Sequence, residues 1–129
     1  MARAPVSAAG TVEGLLAAYA ADVRGLALAA RASLRTWLPN SEEVADPVAP
    51  VIGYSYGPGY KGIVCTLLVS KTGVKIGLAR GGELADPHGL LGGSGKVHRY
   101  VQLRSAADLR NPDVRALVKA TYAAWKQRM

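Results

Sequence analysis

The chain has 129 residues, half of them apolar, and a formal charge of +7, a size that fits one domain with a substantial core. No apolar run approaches the ~18 residues a membrane-spanning helix needs, and the N-terminus lacks the apolar centre of a signal peptide. One cysteine, Cys65, excludes an internal disulfide and fits a reducing cytosol; one Cys with two His excludes a structural zinc site.

Residues 1–10 read as a flexible tail before a single domain over 11–129. Thr11 is a helix N-cap with Glu13 in the first turn. Apolar residues then recur at Val12, Leu15/Leu16, Tyr19, Val23, Leu26, Ala30, Leu34 and Trp37, which predicts one continuous helix of nearly ~40 Å ended by Pro39-Asn40. Residues 41–50 form an acidic connector. Its Glu42, Glu43 and Asp46 are weak candidates for a hard cation, and more simply a solvated cover for the sheet's start.

Strands follow. Val51 to Tyr56 alternates, with Ile52, Tyr54 and Tyr56 on one side. Residues 63–69 are apolar on both faces and predict a central strand around a buried Cys65 thiol. Lys71-Thr72-Gly73 turns a hairpin into a strand carrying Val74, Ile76 and Leu78 on one face. Asp86-Pro87 reads as a helix start, with Leu90 and Leu91 buried under a turn that Gly92-Gly93 ends. From Val97 the period is two, placing Val97, Arg99, Val101 and Leu103 on one face and His98, Tyr100 and Gln102 on the other. Ser105 to Asp108 reads as a capping box. Asn111-Pro112-Asp113 starts a C-terminal helix that buries Val114, Leu117, Val118, Thr121, Tyr122 and Trp125.

The expected fold is α+β: a two-layer sandwich with an antiparallel sheet of four or five strands and the N- and C-terminal helices on one face. The other sheet face would carry Gly53, Ser55, Gly77 and Ala79 beside Thr66, Lys75, His98, Tyr100 and Gln102. Small residues flatten it, so a planar ligand or a partner backbone could approach closely. Val64 and Leu68 share its phase, and such an apolar patch predicts a homodimer through this face.

Residues 81–103 closely resemble the motif G-x-x-L-x-D-P-x-G-L-L-x-G-x-G-K-x-x-R of the YdhG-like family of uncharacterised domains. The matches are Gly81 or Gly82, Leu84, Asp86, Pro87, Gly89, Leu90, Leu91, a glycine at 92–93, Gly95, Lys96 and Arg99. The resemblance extends to VIGYS at 51–55 and SAADLRNPDVRALV at 105–118. Residues 76–78 and 70–72 depart from the aromatic positions and the Lys/His pair that many members carry. The resemblance implies a frataxin-like α/β sandwich, and, from one branch, an intracellular iron chaperone.

For chemistry, Gly92-Gly93-Ser94-Gly95-Lys96 fails as a phosphate loop: Leu90 stands where the first glycine belongs and Val97 where Ser/Thr should hold magnesium. A looser anion nest stays open beside a plain glycine turn. No nucleophile motif, paired carboxylates or cofactor fingerprint appears, so no cofactor and no enzymatic activity are expected. Arg99, on an apolar face, predicts a buried tie to Asp86 that pins the glycine loop to the strand; alternatively Arg99, Arg80 and Lys96, with His98 and Tyr100, receive an anion. The leading expectation is a cytoplasmic, non-enzymatic module for a small anion or a protein partner, with iron binding as the alternative. Nucleic acid is disfavoured because aromatics do not interleave with the basic residues.

Overall fold

A computed structural model describes residues 11–129; the expected tail, residues 1–10, lies outside them. The architecture is α+β, with one six-stranded antiparallel sheet. The strands are β1 (Glu42–Ala45), β2 (Val51–Ser55), β3 (Ile63–Ser70), β4 (Gly73–Leu78), β5 (Leu91–Gly92) and β6 (Arg99–Leu103), in spatial order β1-β2-β3-β4-β6-β5. The helices are α1 (Val12–Leu16), α2 (Ala21–Trp37), the single turn α3 (Gly59–Gly62) and α4 (Pro112–Arg128).

The expected single N-terminal helix is two. Thr11 caps α1 through its side chain on the Gly14 amide, as its sequence suggests. The chain then leaves helical geometry, with Ala20 extended at φ −61°, ψ 156°. Arg24 Nη1 reaches back 2.8 Å to the Tyr19 carbonyl freed by the break. Alanines on either side tolerate helix and break alike, so packing decides. The break lets Val12 and Leu16 of α1 and Val23, Ala27, Ala30, Leu34 and Trp37 of α2 all reach the core. Asn40, at φ 66°, takes the left-handed turn just past α2.

β3 lies inside the sheet, as its apolar run predicts, and pairs with β2 and β4. Cys65, Leu67 and Val69 stand in register with Tyr54 and Ile52 of β2, with Leu78, Ile76 and Val74 of β4, and through β4 with Val101 and Leu103 of β6. All of these are buried. α2 packs against β3 and β4, α4 against β3, and the two helices touch. Burial pushes the Cys65 thiol far above its ordinary pKa, so it is an inert core side chain. Ser70 pairs with Gly73, leaving Lys71-Thr72 as a two-residue hairpin turn. Asn111 caps α4 on the Asp113 amide. Tyr56, Tyr122 and Trp125 close the far end of α4: the two tyrosine rings stack at 4.4 Å, and Trp125 Nε1 donates to the Lys61 carbonyl.

Two strands depart from expectation. The acidic connector contains β1, whose Glu43 falls in the buried phase beside Tyr54. A carboxylate there is tolerable because Arg31 of α2 grips it with Nε and Nη2 at 2.9–3.1 Å while the Tyr54 hydroxyl donates at 2.8 Å. Burial alone would raise the Glu43 pKa, but the bonds from Arg31 and Tyr54 outweigh it and hold the carboxyl below its ordinary value. Burial, then the bond to Glu43, drives the Tyr54 phenol upward. The other departure is β5. No helical turn follows Asp86-Pro87; Leu91 and Gly92 instead extend the sheet beside β6, where Leu91 meets Val101.

The Arg31–Glu43 side chains are 23% and 15% exposed, between a surface pair and a buried one. Arg31→Ala should therefore cost about 2 kcal/mol, above the ~0–1 of exposed pairs and below the ~3–5 of fully buried ones. Because the folded Glu43 pKa is depressed, its stabilisation is complete above the unfolded value near ~4.3 and is lost as pH falls through the folded value. Denaturant melts of wild type and Glu43→Gln should thus differ at neutral pH and converge towards pH ~3.

Candidate functional site

The sheet face opposite α2 and α4 carries a groove of about 910 Å³. Its geometry follows from register. Val44, Gly53, Thr66, Gly77 and Tyr100 pair successively from β1 to β6, making one straight row across five strands. Two of the five have no side chain, so the row is a trough with Thr66 on its floor and Val44 and Tyr100 at its ends. Leu68 and Val51 wall one side; Ile63, Pro58 and the 92% exposed Tyr60 rise on the other.

The two floor glycines are not equivalent. A Cβ on Gly77 would sit 2.3 Å from Thr66 Oγ1, whereas one on Gly53 would meet only the Val44 carbonyl at 3.9 Å. The Tyr100 ring is bedded on β5: a Cβ on Gly92 or Gly93 would come within 2.8 or 3.0 Å of its ring atoms. Lys75 Nζ stands 4.3 Å from the ring centroid. Gly92-Gly93, read as a turn or an anion nest, is thereby the seat of a groove residue.

Polar groups on the trough are few and specific. The hydroxyls of Ser55 and Thr66 bond no other described residue and open to the groove, since no fully buried side-chain polar atom among the described residues lacks a partner. His98 borders the β6 end, its Nδ1 accepting the Arg80 amide at 3.1 Å. An accepting Nδ1 leaves the proton on Nε2. Glu42 and Asp46 border the β1 end.

Of the expected anion-binding set, only His98 and Tyr100 present side chains here. Arg80, left-handed at φ 54°, is paired with Glu83 at 2.6 Å. Lys96 is exposed on the loop. Arg99 borders the groove, but its side chain runs back past Gly81 and Gly93, and Nε donates to the Gly95 carbonyl. The expected Arg99–Asp86 tie is absent among the described ion pairs. Asp86 instead spends its carboxylate oxygens on the Leu90 and Leu91 amides at 2.9 and 3.0 Å. Arg99 still pins the glycine loop to its strand, through a carbonyl and only partly buried, at the first residue of β6. Pro87 and Gly89 form an exposed turn beneath Asp86, with Gly89 at φ 65°. His88 meets Asp113 at 3.5 Å in the open.

The cation candidates separate. Glu42 and Glu43 are neighbours on a strand and face opposite ways, Glu43 is held by Arg31, and Asp46 caps the Val48 and Ala49 amides. No group of three His, Cys, Asp or Glu side chains comes together among the described residues. The expected apolar patch is also smaller than its phase implied: Val64 is 0% exposed and Leu68 partly covered. A β-bulge sets Ser55 opposite Ile63 and Tyr54 opposite Cys65, which leaves Val64 as the extra residue. Sequence reasoning missed Val44, Pro58, Tyr60 and Glu42 as groove residues, since they lie on the unrecognised β1 and in the turn before β3. No family profile, curated protein or solved structure matches the chain.

Arg99→Ala should cost only about 1 kcal/mol, the worth of one hydrogen bond to a carbonyl, not the several of a buried ion pair. A melt lowered as far as that of Arg31→Ala would contradict this. Gly77→Ala should destabilise by about 1–3 kcal/mol through overlap with Thr66, and Thr66→Ala should relieve it in the double variant; Gly53→Ala should leave the melt unchanged.

Proposed function

We propose that the chain is a non-enzymatic, cytoplasmic binding module that seats a small, largely apolar molecule in the trough on its open sheet face. The observation that carries this reading is the trough itself, at about 910 Å³ with a glycine floor and apolar walls. Its size falls in the roughly 300–1,000 Å³ range of small-molecule pockets. A frataxin-like two-layer arrangement, as the YdhG-like resemblance implies, is the frame for it: one face carries helices and the other is left for a ligand. The concave shape favours a compact ligand over a second copy of the same face, because two concave faces do not close on each other. The iron alternative finds no support from carboxylates that face apart. General-base catalysis finds none either: His98 Nδ1 accepts the Arg80 amide, which makes Nε2 a hydrogen-bond donor rather than a base.

The test uses the neutral, polarity-sensitive dye N-phenyl-1-naphthylamine. Wild type should give saturable fluorescence enhancement, and Gly53→Val should reduce affinity at least about tenfold by filling the floor, with its thermal melt unchanged. Non-saturating fluorescence, or equal binding by Gly53→Val, would overturn the reading. A dimer in sedimentation that Gly53→Val dissociates would assign the face to a second copy instead.

A further inference from the structure

Resting on that reading, the polar groups of the trough define which molecule it takes. The row containing Ser55 and the position before β6 held by His98 lie on the same side of the floor, three strand steps apart. At ~4.8 Å per strand this is about 14 Å. Between them the chain offers flat, uncharged surface. At the β1 end stand the Ser55 hydroxyl, which bonds no described residue and opens to the groove, and Glu42, paired with Ser55 across β1 and β2. Asp46 adds a second negative charge at that end. At the β6 end His98 offers an Nε2–H, and the Lys75 ammonium is held over Tyr100.

No fully buried side-chain polar atom among the described residues lacks a partner, so the Ser55 hydroxyl is open to the groove, where a ligand donor can reach it. The charges at the two ends are opposite, so a ligand of matching polarity is favoured in one orientation only. Gly53 presents open backbone, and the short Thr66 side chain fills the space over Gly77, a low floor that suits the face of a planar ring system.

We propose that the trough binds a flat, bipolar aryl molecule, with an amino group at the Ser55–Glu42 end and a carboxylate at the His98 end. The amine donates to Glu42 and the Ser55 oxygen, the ring system lies on Gly53 and on the Thr66 side chain that covers Gly77, and the carboxylate accepts from His98 Nε2.

Three fluorenes of one frame test it: 7-aminofluorene-2-carboxylate, fluorene-2-carboxylate and 2-aminofluorene, titrated by fluorescence or calorimetry. The bipolar compound should bind wild type about tenfold more tightly than either single-ended one, the worth of one charge-assisted hydrogen bond. Ser55→Ala, which removes a hydroxyl that bonds no described residue, should weaken the two amines and leave fluorene-2-carboxylate unchanged. His98→Gln, whose amide oxygen can still accept from Arg80, should weaken the two carboxylates and leave 2-aminofluorene unchanged. Equal affinities for the three compounds, or a loss in either variant that ignores the end groups, overturns the proposal. If the naphthylamine dye binds in a Gly53-dependent way while the fluorenes show no end-group preference, the bipolar ligand is wrong and the binding groove stands. If neither series binds, both readings fall together.

Discussion

The register of β3 is the constraint on which the rest depends. Once Cys65, Leu67 and Val69 turn into the core, the two-residue period sends Thr66 and Leu68 to the other face. Pairing then leaves no freedom to the neighbours. Gly53, Gly77 and Tyr100 must fall in line with Thr66, because Ile52, Tyr54, Ile76 and Val101 are committed to the core beside them. A slip of one residue on β2 or β4 would bury glycine and expose the large apolar side chains. The hydrophobic side of the sheet thereby builds the trough on the side it does not occupy.

Two secondary ties hold the ends of that sheet. At the β1 edge, a carboxylate in the buried phase would be expelled without Arg31 and Tyr54; with them it anchors β1 to α2 and protects a strand of only four residues. At the other edge, β5 has only two residues, and its glycines lie under the Tyr100 ring while Asp86 caps the amides of Leu90 and Leu91 leading into it. The glycine-rich stretch is thus explained by close approach of a ring and of backbone, and its one arginine by a single carbonyl. Neither needs a phosphate.

Much was readable from residues alone. The strands from Val51, Ile63 and Val74, the Thr11 and Asn111 caps, the C-terminal helix and the small-residue face follow from periods of 2 and 3.6, from capping chemistry and from Gly/Pro punctuation, all of which act within a few residues. The open face with Gly53, Ser55 and Gly77 was legible for the same reason: alternation assigns a face without knowing what covers it.

What only the tertiary structure decided involves groups far apart in the chain. The break at 17–20 is invisible among alanines that suit helix and turn alike; the need of α1 and α2 to meet the core separately decides it. β1 reads as an acidic connector until Arg31, twelve residues earlier, neutralises Glu43. Asp86 looked like the partner of Arg99 because they share a motif and carry opposite charge, but local amides claimed the carboxylate first. Sequence determines which side chains want burial, capping or a turn. Competition among partners for the same group is settled in three dimensions, because hydrogen bonds go to the donor that geometry places within about 3 Å.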